Sequence, residues 1–192
     1  MASPSTRLSK AARREQLLDA ATSIVRTRGA DDLTLPTLAE AAQVSRPIVY
    51  DHFATRHGLL LALYLRLDDQ YRTRLAQALQ DADPTAPEVA RVMSEAYFTC
   101  ATDMPELTAI SAALKGSPAL EATQHDLLDH YTNLMVTALR PHSRLTAEAL
   151  RLRCVGTLGA AEALAAEINR GRATTDDAVT ALTDLILSTL GH

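Results

Sequence analysis

Residues 34–60 read TLPTLAEAAQVSRPIVYDHFATRHGLL, and their spacing predicts two short helices on either side of a turn. Thr34 is a hydroxyl placed to cap a helix whose inner face is Leu35, Leu38, Ala39 and Ala42, apolar at the three- and four-residue intervals of an amphipathic helix. That helix stops near Gln43. Ser45 is placed to cap the next, which carries Arg46, Pro47, Ile48, Val49, Tyr50, Asp51, His52 and Phe53. Pro36 and Pro47 each fall two residues after a cap, in a first turn where the missing N–H breaks no intrahelical bond. The Thr34 and Ser45 hydroxyls are then expected to accept from the amides of Thr37 and Ile48. Upstream, Leu17, Leu18, Ala21, Ile24 and Val25 form one stripe of a longer helix, capped by Ser9 and ended by Gly29. Two short helices joined by about four residues, behind a longer packing helix, make a helix-turn-helix unit.

Helical periodicity continues to the end of the chain. After Thr55 a fourth helix runs through Leu59, Leu60, Leu63, Tyr64, Leu67 and Tyr71 toward Leu79, and the polar segment 81–87, with two prolines, reads as a loop. Val89, Val92, Met93, Ala96, Tyr97 and Cys100 then share a face. A short helix from Glu106 to Leu114 follows, then Leu120 to Leu139, Leu145 to Asn169 and Thr175 to Leu190. The count is nine helices with no convincing strand and no internal repeat. Composition agrees: of 192 residues 47% are hydrophobic, none is Trp and two are Phe, and a core of Ala and Leu favours helix over sheet. The expected fold is all-α, with a three-helix N-terminal domain over 1–56, a connecting helix from about 56, and a six-helix domain over 57–192.

Charge separates the two parts. Met1 to Arg56 holds eight Lys and Arg against six Asp and Glu, whereas His57 to His192 holds eleven against seventeen. The first fourteen residues carry Arg7, Lys10, Arg13 and Arg14 and no acid, a basic arm of the kind that meets phosphates, with a solvated tail as the plainer alternative. The longest apolar run, Leu59 to Leu65, has seven residues, far short of the roughly 18 that span a bilayer. No signal-peptide pattern follows the basic start, so a cytoplasmic protein without membrane partners is expected. Cys100 and Cys154 belong to no CxxC pair and read as small hydrophobes. G-x-S-x-G, H-E-x-x-H and Walker patterns are missing too, which leaves catalysis without named residues and calls for no metal or cofactor.

The stretch 34–60 resembles the DNA-binding domain of the TetR family of one-component transcriptional regulators. The family's pattern stands here as Thr34, Leu38-Ala39, Ala42-Gln43-Val44-Ser45, Tyr50-Asp51-His52-Phe53 and Arg56. The resemblance implies a homodimer on a palindromic double-stranded operator, half-sites about one helical turn apart. It implies that Arg46, Pro47 and Ile48 read bases and that Thr34, Ser45, Tyr50, His52 and Arg56 hold phosphates. Chemistry fits that division: Arg46 suits guanine, Ile48 a thymine methyl, and hydroxyls and helix N-termini phosphate. Tyr50 and Phe53 have packing between helices as their alternative. Two positions depart from the family. Gln43 occupies a turn position usually given to Gly, at a cost of about 1 kcal/mol. Asp51 puts a carboxylate on the reading helix, either accepting from a cytosine amino group or, by preference, bracing Arg46 or Arg56.

In the second domain, Tyr97, Cys100 and Met104, Leu127, Tyr131 and Met135, and Tyr64 and Leu67 of the connecting helix form apolar faces that suit a solid core. The resemblance implies instead that they line a cavity for a small-molecule inducer, and few aromatics with many aliphatics suit an apolar organic one. Asp126 and His130 stand one turn apart but read as a solvated face. Glu162, among Leu158, Gly159, Ala165 and Ala166, reads equally as a pocket acid, an interface ion pair or an exposed edge. Gly156, Gly159, Ala160 and Ala163 allow close helix approach, and Val179, Leu182, Leu185 and Ile186 give the last helix an apolar face. Packing within one chain explains both; the resemblance assigns both to the two-fold interface. Control by a protein partner is the alternative to an inducer, and an all-helical carrier or enzyme a remote one.

Overall fold

The computed structural model describes residues 8–116 and 118–191, and these are all-helical. The helices are α1 (Lys10–Arg28), α2 (Leu35–Ala41), α3 (Arg46–Phe53), α4 (Arg56–Asp81), α5 (Ala86–Asp103), α6 (Pro105–Ala113), α7 (Pro118–Leu139), α8 (Ala147–Asn169) and α9 (Thr175–Ser188), with a 3-10 turn at Arg140–His142. Among the described residues no helix is long and apolar enough to cross a membrane. The chain divides into two compact units. One takes the residues up to Asp68 together with Met104–Leu120, and the other takes Asp69–Asp103 with the residues from Glu121 on.

In the first unit the local signals act as their chemistry requires. Ser9 caps α1 by accepting from the Ala12 amide, and all five stripe residues, Leu17, Leu18, Ala21, Ile24 and Val25, are buried. Thr34 accepts from the Thr37 amide while the Thr37 hydroxyl accepts from the Thr34 amide, a reciprocal box that starts α2. The end of α2 is a Schellman motif: Val44 N–H reaches Ala39 O at 3.0 Å, Gln43 N–H reaches Glu40 O at 3.2 Å, and Gln43 sits at φ +53°. A non-glycine residue thus fills the left-handed position. Ser45 departs from expectation, because its hydroxyl makes no cap bond. The Ile48 amide bonds the Ser45 backbone carbonyl instead, at 3.1 Å.

Sequence reading did not anticipate the corner between α3 and α4. Ala54 adopts φ +56° and the Thr55 amide donates to Phe53 O, so the chain reverses over one residue. Thr55 Oγ1 then accepts from the Gly58 amide at 3.0 Å to start α4. A Cβ on Gly58 would lie 2.5 Å from Phe53 O, so the corner closes only over a glycine.

The helix α6 belongs to the first unit although its sequence neighbours belong to the second. Met104, Ile110 and Leu114 are buried there, as is Glu106 in the first turn of α6. The Glu106 carboxylate is joined to Arg26 Nε of α1. Another arginine, Arg66 of α4, pairs with Glu15 at 3.1 Å and with Asp19, both on α1. α1 is therefore held by charge to two other helices.

In the second unit α9 packs on α5 and α8. Its core gathers Val89, Ala90, Met93 and Phe98 of α5, Met135 and Leu139 of α7, Leu150, Cys154 and Ala161 of α8, and Ala178, Leu182, Ile186 and Leu190 at the chain end. The inner face of α5 is rotated from the expected one: Ala90 and Phe98 are buried, and Val92, Ala96 and Cys100 are half-buried. The apolar arc of α5 is wider than its contact, and only the neighbours choose within it. Cys154 behaves as a small hydrophobe, its thiol pushed up to about 11 by burial.

Two pairs of substitutions test these constraints by urea denaturation. Gln43→Gly relieves a left-handed side chain and is expected to stabilise by about 1 kcal/mol, whereas Gly58→Ala forces the corner open and destabilises. Arg26→Ala leaves the Glu106 carboxylate buried without its partner and is expected to cost about 2 kcal/mol, with Glu106→Gln in the Arg26→Ala background recovering part of the loss.

Candidate nucleic-acid interface

Burial decides which arc of α3 is available. Val49 and Phe53, one turn apart, are buried, and Arg46, Pro47, Ile48, Tyr50 and Asp51 are exposed. Ile48 and Tyr50 remain 37% and 49% accessible, so Tyr50 stands outside the core while Phe53 is part of it. An eight-residue helix that leaves two large apolar side chains, an arginine and a carboxylate in water is shaped for a surface other than its own.

Cations from α1 flank this helix. The Arg14 guanidinium lies over the Phe53 ring, 5.1 Å from its centroid, a cation–π contact that holds the start of α1 against the end of α3. Arg13 bonds Gln16, and Lys10 is exposed; Arg7 lies outside the described residues. His52, half-buried on the last turn of α3, feels this cluster. Partial burial first, then the Lys10, Arg14 and Arg13 charges, hold its pKa below the ordinary 6.5, against an opposing pull from Asp51.

The remaining proposed phosphate contacts differ in freedom. The Ser45 hydroxyl, exposed and free of capping, is open to a ligand, whereas the Thr34 hydroxyl is engaged with Thr37. Arg56 donates from Nε to Leu33 O at 2.9 Å and from Nη2 to Ala30 O at 2.8 Å, with Asp31 at 3.8 Å. It ties the α1–α2 loop to the first turn of α4, a structural task that the sequence did not disclose. The bracing expected of Asp51 is not found: among the described residues no ion pair joins it to Arg46 or Arg56, since the guanidinium of Arg56 is turned to the loop carbonyls.

Of the cavity candidates, Tyr64, Leu67 and Met104 are buried in the first unit. Leu127 and Met135 are buried in the second, where Tyr97, Cys100 and Tyr131 are half-buried. Tyr131 packs its ring 5.9 Å from Tyr71, and Tyr97 sets its ring edge-on to Phe98. Burial and the nearby Glu162 carboxylate push the Tyr97 phenol up to about 12. Glu162 itself is exposed on this chain.

On α8, Gly156, Gly159 and Ala163 are exposed, Ala160 is half-buried, and a Cβ on either glycine would meet nothing within 4 Å. Leu152, one turn before Gly156 and missed by the sequence reading, is 68% exposed. On α9, Leu185 is 42% exposed and Val179 half-buried, but Leu182 and Ile186 are 3% and 1% exposed inside their own unit. Those two are core residues of this chain, because α9 turns them toward α5 and α8.

Known proteins share both the motif and the whole-chain architecture. Residues 17–63 match the model of bacterial regulatory proteins, tetR family. A TetR-family transcriptional regulator from Pectobacterium atrosepticum superposes with a TM-score of 0.74 at 27% identity, over 96% of this chain and 97% of that one. The N-terminal segment is that of a TetR-family DNA-binding domain, and the whole chain shares the fold of a TetR-family transcriptional regulator. An HTH-type transcriptional activator, FasR, from Mycolicibacterium smegmatis is 34% identical over 92 residues, 48% of this chain and 42% of that protein. The chain spans less than half the length of the curated relatives it matches. A multidrug binding protein, EbrR, solved with imidazole, shares the fold at a TM-score of 0.69 and 20% identity, over 94% of this chain and 90% of that one.

The electrostatics around His52 give a direct check. In the free protein its NMR titration midpoint is expected below 6.5. Lys10→Ala and Arg14→Ala should each move it upward. Because the folded pKa is the lower one, the stability His52 contributes is complete above pH 6.5 and is lost as pH falls through its folded value.

Proposed function

We propose that the protein binds a palindromic operator as a homodimer, with α3 in the major groove, and represses transcription until a small apolar organic molecule releases it. The observation that carries this reading is the outward arc of α3, with Arg46, Pro47 and Ile48 in its first turn and the α1 cations beside its last. Arg46, Pro47 and Ile48 take the bases. Ser45, Tyr50, His52 and the α1 cations take the phosphates; Thr34 and Arg56 contribute chiefly by fixing the loop and helix starts around them. The name of the Mycolicibacterium relative makes activation the second reading of the output.

Dimerisation through α8 and α9 is supported by the exposed stripe of Leu152, Gly156, Gly159 and Ala163, joined by Leu185. The apolar inducer is supported, within the second unit, by the aliphatic burial of Leu127 and Met135 and by the half-buried tyrosines Tyr97 and Tyr131. α4 runs through both units and carries Arg56 in its first turn and Tyr64 and Leu67 beyond, which makes it the mechanical link. We read the cytoplasm, where the DNA is, as its place of work.

Selection from random duplex DNA, with a transcription readout on the recovered site, tests the reading; enrichment of no palindrome overturns it. Arg46→Ala is expected to relax choice at one base pair by about 1 to 3 kcal/mol while leaving random-duplex affinity nearly unchanged. Phosphates raise the depressed His52 pKa, so binding takes up a proton and tightens as pH falls below 7, a trend that His52→Gln should flatten. Gly159→Arg should give a folded monomer by sedimentation, and a variant that remains dimeric removes α8 from the interface.

A further inference from the structure

We propose that Asp51 is a base-selecting residue, its carboxylate accepting from the exocyclic amino group of a cytosine in each half-site. The inference rests on the DNA-binding reading above and adds a specificity determinant to it. Angular position on α3 carries the proposal. At about 100° per residue, the direction midway between the buried Val49 and Phe53 is opposite that of Asp51. Asp51 therefore stands at the middle of the exposed arc, with Pro47 and Ile48 one turn earlier on its two sides. A helix anchored by its inner pair enters a groove by the opposite arc, and the residue at the centre of that arc meets base edges rather than the phosphates along the groove walls.

Charge and partner count point the same way. Asp51 is exposed, and among the described residues it forms no ion pair with Arg46 or Arg56, the cations that could neutralise it. Asp51 acts electrostatically on His52 of its own helix, on which the Lys10, Arg13 and Arg14 charges of α1 act in the opposite sense. An anion at that place meets a polyanion at a loss unless a donor receives it. A carboxylate only accepts. Guanine offers it N7 and O6, and thymine offers O4 and a methyl, so both are rejected; adenine sets its N6 donor beside the N7 acceptor. Cytosine presents its N4 amino group with no acceptor beside it on the same ring, and it is the base the carboxylate selects.

The test selects operators from random duplex DNA with the full chain, its Asp51→Ala variant and its Asp51→Asn variant, each checked for unchanged helicity and thermal unfolding. The wild type is expected to enrich cytosine about tenfold or more at one symmetric position in each half-site. Asp51→Ala should reduce the choice there to within about twofold, keep the preferences elsewhere, and bind random duplex at least as tightly because a repelling charge is gone. Asp51→Asn should move the preference to adenine, whose N6 and N7 fit an amide. An Asp51→Ala variant with the wild-type preference at every position overturns the proposal, as does a wild-type site that carries guanine, thymine or adenine where the variant relaxes. A wild type that enriches no sequence overturns the DNA-binding reading as well, whereas the other failures remove Asp51 alone.

Discussion

The inward pair of α3, Val49 and Phe53, is the constraint on which the exposed helix depends. Each buried side chain of this size is worth about 2 kcal/mol, and eight residues of helix have no other apolar anchor. With those two directions taken, the side chains of Arg46, Pro47, Ile48, Tyr50 and Asp51 are committed to solvent and only His52 is half-buried. Phe53 does further work: its ring carries the Arg14 guanidinium, and its carbonyl is the atom that a side chain on Gly58 would strike. The start of α1, the corner at Ala54 and the first turn of α4 are thus registered on one residue.

Cations in the first unit divide by task. Arg26, Arg56 and Arg66 are spent on the fold, respectively on Glu106, on the carbonyls of Ala30 and Leu33, and on Glu15 and Asp19. Arg46 and Lys10 remain exposed. A count of charges in the front segment cannot make this distinction, because a guanidinium bonding backbone carbonyls and one in solvent have the same formal charge. The burial of Glu106 is unusual for a carboxylate, and its bond to Arg26 makes α6 part of the unit that holds α3.

Local chemistry made the boundaries of α1, α2 and α3 legible. A hydroxyl cap, a proline in the first turn and a residue that tolerates positive φ each act within four residues, so Ser9, Thr34, Pro36 and Gly29 can be read without knowing what they pack against. The left-handed position of Gln43 follows from the family resemblance rather than from such local reading. Local reading fails at Ala54 and Gly58, where the requirement arises from an approach between chain segments, and at Ser45, whose backbone carbonyl takes the bond expected of its hydroxyl.

The sequence by itself determined that the chain is all-helical, where its reading helix lies and which family it resembles, because those properties follow from periodicity and a dense local motif. Tertiary structure decided which members of an apolar arc face inward. It placed Ala90 and Phe98 of α5 in the core, sent Leu182 and Ile186 of α9 inside, and left Leu152 in solvent. It also turned Arg56 away from Asp51 and toward Ala30 and Leu33. A helix fixes the angles between its own side chains, but the rotation of that helix about its axis is set by whatever it packs against, and sequence spacing carries no record of the partner.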